Sequence, residues 1–157
     1  MTQKITGEMV VKPAHRFALV VAEFNEFITT RLAEAAIECL TRHGGKETQI
    51  TQVWVPGSFE IPTMATCLAK SGKYSAIICL GCVVRGQTSH YDHVSDQVSR
   101  GVGAVGPATG VPTIFGIITA DTLEQAIDRA GLKQGNAGWE AACTAISMVN
   151  LMAKVKD

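Results

Sequence analysis

The sequence predicts an α/β protein: a three-layer α/β/α sandwich around a four-stranded parallel sheet, doubly wound. Three observations predict it. Four short, continuous apolar runs recur along the chain, the pattern of parallel strands covered on both faces. Segments with apolar residues at helical spacing separate those runs. No internal repeat, linker or low-complexity stretch breaks the alternation, so right-handed crossovers and helices on both faces follow. A chain of 157 residues fits one domain over residues 1–157, with residues 1–14 as an N-terminal arm. That size buries roughly 68–70% of the unfolded surface.

The first strand is Phe17 to Ala22 (FALVVA). A helix follows, with Ile28, Leu32, Ala35, Ala36, Cys39 and Leu40 on one stripe, ending at His43-Gly44-Gly45. Gln49 to Val55 (QITQVWV) reads as the second strand, stopped by Pro56-Gly57. Ile61, Met64, Ala65, Leu68 and Ala69 then repeat at helical spacing, with Pro62 tolerable in the first turn. The third strand is Ser75 to Cys82, and its helix begins near His90 with Val94, Val98, Val102 and Val105. Gly101, Gly103 and Gly106 weaken that helix by about 1 kcal/mol each relative to Ala, so close packing against another element is expected there. Pro112 to Ile118 is the fourth strand. Asp121-Thr122-Leu123-Glu124 resembles a capping box with Asp121 as the cap, opening a short helix that stops at Gly131. A last helix spans about Gly138 to Lys154.

Composition excludes several classes. Fourteen Lys+Arg balance fourteen Asp+Glu, which argues against a broad nucleic-acid or anionic-membrane face. Hydrophobic residues at 46% and charged ones at 18% exclude a disordered chain. No run approaches the ~20 apolar residues of a membrane span. Met1 to Pro13 carries polar and charged residues where a signal peptide needs an apolar core, so a cytoplasmic protein is expected. The five cysteines are Cys39, Cys67, Cys79, Cys82 and Cys143. Cys79-Leu80-Gly81-Cys82 spells CxxC, but on a strand, where residues three apart face opposite sides. Core thiols are expected rather than redox or metal chemistry.

In doubly wound folds, ligands gather beyond the carboxyl ends of the strands. Those ends are Glu23-Phe24-Asn25-Glu26, Pro56-Gly57-Ser58-Phe59-Glu60, Val83-Val84-Arg85-Gly86-Gln87-Thr88-Ser89-His90 and Thr119-Ala120-Asp121. The sequence holds no GxxxxGK[ST] loop. Gly101 to Gly106 matches GxGxxG, but inside a helical stretch with no strand before it, so a dinucleotide site is not expected. Gly86 to His90 suits either a phosphate at a helix N-terminus or simple capping of that helix. His90 and His93 lie three apart without a placed third metal ligand, so no metal site is expected. A histidine at this mouth suits proton transfer, and a solvated surface histidine is the alternative, favoured for His93, His15 and His43. Phe24 can stack on a planar ring, whereas Trp54 suits the core. Glu60 and Glu23 are candidate acceptors or solvated carboxylates. Arg129 and Lys133 suit either the C-terminal helix dipole or a phosphate.

Five phrases, in order and spacing, resemble the lumazine synthase family over Phe17 to about Met152. They are Phe24-Asn25-Glu26-Phe27-Ile28-Thr29, Val55-Pro56-Gly57-Ser58-Phe59-Glu60-Ile61-Pro62, Gly81 to His90, Gly110-Val111-Pro112-Thr113-Ile114-Phe115-Gly116 and Ala126-Ile127-Asp128-Arg129-Ala130-Gly131. The resemblance implies a flavodoxin-like fold and the riboflavin-biosynthesis enzyme that condenses 5-amino-6-ribitylamino-2,4(1H,3H)-pyrimidinedione with 3,4-dihydroxy-2-butanone 4-phosphate. The products are 6,7-dimethyl-8-ribityllumazine, phosphate and water, and no cofactor is implied. It assigns Phe24 to stacking on the pyrimidine, Ser58, Phe59 and Glu60 to the ribityl chain, and Val83 and Val84 to the ring site. Gly86, Gln87, Thr88 and Arg129 would hold the phosphate, and His90 would move protons. Phe115, Lys133 and Arg129 would come from a neighbouring subunit.

The resemblance also implies a homopentamer, with twelve pentamers in an icosahedral 60-mer shell and association with riboflavin synthase. Pentamer-only relatives often carry an insertion around Gly131 to Gly138, absent here. The arm, with Ile5, Met9, Val10 and Val11, suits addition to a neighbour's sheet edge. Ala137 stands where many relatives have a lysine near the pyrimidine carbonyl, which bears on pyrimidine and riboflavin affinity, and Gln87 and Cys82 also depart from the common pattern. Two other readings compete: a flavin or nucleotide carrier, and a shell protein without activity. Glu23-Phe24-Asn25-Glu26 is not the phosphate loop of such a carrier, and retention of His90, Thr88 and Arg129 counts against an inert shell.

Overall fold

The computed structural model describes residues 1–131 and 135–157. Among them, strands β1 (Phe17–Ala22), β2 (Ile50–Val55), β3 (Ala76–Val84) and β4 (Thr113–Ala120) form one parallel sheet in the order β2-β1-β3-β4. The helices are α1 (Glu26–Arg42), α2 (Ile61–Lys70), α3 (His90–Thr109), α4 (Leu123–Arg129) and α5 (Ala137–Lys156). The expected three-layer, doubly wound architecture is present.

Alternation along the central strands builds the layers. Phe17, Leu19 and Val21 of β1 and Ile78, Leu80 and Cys82 of β3 pack with Leu32, Ala36, Ala142 and Ile146 of α1 and α5. Ala18, Val20, Ala22, Ile77 and Cys79 point the other way, onto Ile61, Ala65, Val98 and Val102 of α2 and α3. All six β1 residues are buried, which is why that strand reads as an unbroken apolar run. Cys79 and Cys82 fall in opposite layers, as strand geometry requires. The expected close packing at α3 occurs at Gly101, where a Cβ would lie 2.6 Å from Cβ of Pro62, but not at Gly103, which faces open space, or at Gly106, where the nearest atom would be 3.6 Å away.

Several boundaries differ from the sequence expectation. Strand β2 begins at Ile50, because Glu47–Gln49 forms a 3-10 turn. Gln49 is buried there, and its amide donates to the carbonyls of Lys12 and His15 at 2.9 Å, tying the arm to the sheet. The cap of α4 is Thr122 rather than Asp121: the Thr122 hydroxyl accepts from the Gln125 N–H at 3.1 Å. The Asp121 carboxylate turns instead to Arg85. Strands β3 and β4 also run two residues further than expected, to Val84 and Ala120.

The arm lies along α5 of its own chain. Asn150 donates to the carbonyls of Glu8 and Val10, and Lys154 to that of Thr6. Val11 is buried, whereas Ile5, Met9 and Val10 stay exposed. Among the described residues, no helix is long and apolar enough to cross a membrane.

Candidate active site

Connections leave β1 toward β2 and β3 toward β4 in opposite directions, so the switch point lies between the ends of β1 and β3. A cavity of ≈ 750 Å³ opens there, at the position where such sheets bind ligands. Its first wall is the turn after β1. Glu23 N–H donates to the Val55 carbonyl at 2.7 Å and Phe24 N–H to that of Pro56 at 3.0 Å, pinning the turn to the end of β2. Asn25 then takes the left-handed conformation (φ 62°), which asparagine tolerates better than most residues. Its amide reaches across to the Cys82 carbonyl of β3 at 2.8 Å. Thr29, buried in the first turn of α1, donates to the Ala22 carbonyl. The backbone of Phe24 is therefore held on both sides, while its ring stands 70% exposed over the cavity.

The second wall is the 3-10 turn Ser58–Glu60 after β2. It sits directly on β3 because residue 81 is glycine: a Cβ on Gly81 would meet the Ser58 hydroxyl at 2.5 Å. Ser58 is consequently buried, and Phe59 and Glu60 project outward into the cavity lining. Val83 and Val84, at the end of β3, form its floor.

The third wall is the turn into α3. Gly86, Thr88, His90, Tyr91, His93 and Val94 all line the cavity. The Thr88 hydroxyl accepts from the His90 N–H at 3.3 Å, so part of the capping alternative holds, but the N-cap Ser89 makes no side-chain cap bond. Arg85 closes the base of this turn. Its Nε lies 2.9 Å from Asp121 Oδ1 and its other nitrogen 3.5 Å from Asp92 Oδ1, with the guanidinium 4.4 Å over the Tyr91 ring. The hydrogen bond that Arg85 donates to Asp121, and then the charge of Asp92, push the guanidinium pKa still higher than usual.

Nine of the expected residues thus meet around one cavity: Phe24, Ser58, Phe59, Glu60, Val83, Val84, Gly86, Thr88 and His90. Gln87 belongs to the same turn but is exposed outside the lining. Phe115 and Arg129 lie elsewhere, in a hollow of ≈ 660 Å³ along the edge strand β4, with Ala137 and Glu140 of α5. Lys133 lies outside the described residues. Seven further lining residues had not been given a site role from the sequence: Asn25, Pro56, Gly57, Cys82, Tyr91, Val94 and His93, for which a solvated surface position was favoured. Tyr91 and His93 carried a usable signal, since the first turn of a helix starting at the cavity mouth presents several side chains to it. Asn25 had none beyond its neighbour Phe24, because its role depends on a positive φ.

The CxxC thiols are buried, which pushes Cys79 up to about 12 and Cys82 up to about 11. At pH 8 their thiolate fractions are then on the order of 10⁻³ to 10⁻⁴, too little for fast alkylation. Native protein treated with iodoacetamide at pH 8 should carry label on the exposed Cys67 and none on Cys79 until unfolding. Rapid labelling of Cys79 in the native state, seen by peptide mass, would contradict this. The same burial weakens the fold in alkali. An unfolded thiol ionises near 9.0, so this contribution is whole below that pH and is lost as the pH rises through the folded values.

A family model described as 6,7-dimethyl-8-ribityllumazine synthase matches residues 14–153. The match takes in both hollows and every strand, and it leaves out only the first thirteen residues and the last four. With nearly the whole chain covered, the protein belongs to the 6,7-dimethyl-8-ribityllumazine synthase family, transferases of riboflavin biosynthesis.

Proposed function

We propose that this chain condenses 5-amino-6-ribitylamino-2,4(1H,3H)-pyrimidinedione with 3,4-dihydroxy-2-butanone 4-phosphate, in a cavity completed by a neighbouring copy. The products are 6,7-dimethyl-8-ribityllumazine, phosphate and water. The observation that carries this reading is the convergence of Phe24, the Ser58–Glu60 turn and His90 on one cavity at the switch point. Phe24 stacks on the pyrimidine, the Ser58–Glu60 amides and the Glu60 carboxylate take the ribityl hydroxyls, and Val83 and Val84 meet the ring. Gly86, Gln87 and Thr88 hold the phosphate at the start of α3, where free N–H groups and the helix dipole favour an anion.

The chemistry asks mainly for positioning and proton transfer. The ring amine adds to the ketone, and the carbonyl oxygen leaves as water to give an imine. Loss of a proton from the adjacent carbon then drives the phosphate out, and the second amine closes the ring with loss of further water. Holding both substrates together supplies several kcal/mol. His90, at the cavity mouth, passes the protons that these steps release and take up.

Phe115 and Arg129 support a site between subunits. Both are exposed beside the β4 edge, away from their own chain's cavity, which suits them to complete a neighbour's. A closed ring of copies, each edge filling the next cavity, is the assembly that satisfies every site. A pentamer, with twelve pentamers in a shell, is the form proposed, and light scattering separates that mass from a lone ring. The activity test is direct. Protein given both substrates should generate lumazine absorbance and fluorescence only when both are present, and absence of product would overturn the reading.

A further inference from the structure

The turn Gly86–Ser89 is exposed throughout, and a Cβ placed on Gly86 would find no atom within 4 Å. Little within the turn itself holds it in place. The residue that spans it is Arg85. Its N–H donates to the Ala120 carbonyl at 2.9 Å, anchoring the residue to the end of β4. Its guanidinium then ties the two ends of the turn's surroundings together, pairing with Asp121 after β4 and, in the first turn of α3, covering Tyr91 and pairing with Asp92.

Charge makes this more than a brace. Asp92 lies in the first turn of α3, where a carboxylate is drawn to the positive end of the helix. A phosphate entering Gly86–Thr88 competes for that same helix end and is repelled by Asp92. Asp121 adds a second carboxylate at the base of the turn. One guanidinium that contacts both removes much of that repulsion, and its own charge is already engaged by them.

We propose that Arg85 is a positioning residue that braces the Gly86–Ser89 turn and masks Asp92 and Asp121, so that the turn accepts a phosphate dianion. This rests on the function proposed above. The phosphate is held by the turn and not by Arg85, so the residue acts through its neighbours.

The test compares wild type, Arg85→Ala and the double variant Arg85→Ala/Asp92→Asn in steady-state assays that vary each substrate separately. Arg85→Ala should raise KM for the phosphate-bearing ketone about tenfold, with KM for the amine substrate within twofold. Neutralising Asp92 in that background should bring the ketone KM back to within about threefold of wild type. A merely structural role would not produce that rescue. An unchanged ketone KM in Arg85→Ala, a parallel rise in both KM values, or no recovery in the double variant would overturn the proposal while leaving the reaction intact. Wild type that makes no lumazine would remove the reaction itself, and this inference with it.

Discussion

Arg129→Ala raises KM for the phosphate-bearing ketone by about 10- to 100-fold and leaves KM for the aminopyrimidine within twofold. A hydrogen bond between a charged pair contributes about 1.5–3 kcal/mol, which sets that range. Arg129 ends α4 and is exposed, so removing it leaves no buried partner stranded and costs the chain's own fold little. The side chain also sits favourably at the negative end of its helix, a term that alanine loses without any effect on substrate. Separate titrations of the two substrates therefore isolate the phosphate contact. An unchanged ketone KM in a folded variant would show that Arg129 serves the helix alone.

His90→Ala lowers kcat about 10²-fold and changes either KM by less than threefold. That is the low end of what a general acid–base contributes, and the exposure of His90 is the reason. Water reaches the same protons, so it substitutes in part. The positioning proposed for Phe24 and the Ser58–Glu60 turn would survive the substitution and retain its share of the rate. The backbone N–H of residue 90, which donates to Thr88, also survives, so the turn keeps that bond. Single-turnover measurement of lumazine formation reads the chemical step directly. A variant with wild-type kcat would assign the proton transfers elsewhere, with His93 the first residue to examine because it lines the same cavity.

Much of the fold was legible because the central strands leave no ambiguity. β1 and β3 are buried on both faces, and a run such as FALVVA has no polar residue to accommodate. Legibility failed where a polar side chain has a distant partner. Asp121 has the right letter and spacing for a cap, but Arg85, 36 residues earlier, takes its carboxylate, and Thr122 caps in its place. Gln49 looks like the start of a strand, yet its amide is used on the arm carbonyls. Neither partnership has a local signature.

The site divides along the same line. Phe24, Glu60 and His90 were legible because each follows a strand that the apolar pattern had already located. Asn25 was not, since its part depends on a left-handed backbone and a bond to Cys82 across the sheet. Phe115 and Arg129 stand apart from the cavity within one chain, and only the family resemblance joined them to it. Composition and periodicity describe how a chain packs on itself, and they carry little about which edge meets another copy.

That division points to the most direct test of a site built from two copies. Chains carrying His90→Ala and chains carrying Arg129→Ala are unfolded, mixed in equal amounts, refolded together and assayed at a low concentration of the phosphate-bearing ketone. In a closed ring assembled at random, half the cavities keep their own His90 and half of those face an intact Arg129, so about one quarter of wild-type activity should return. A mixture no faster than the average of the two variants assayed separately would place both residues in a site within one chain, and would contradict the shared cavity.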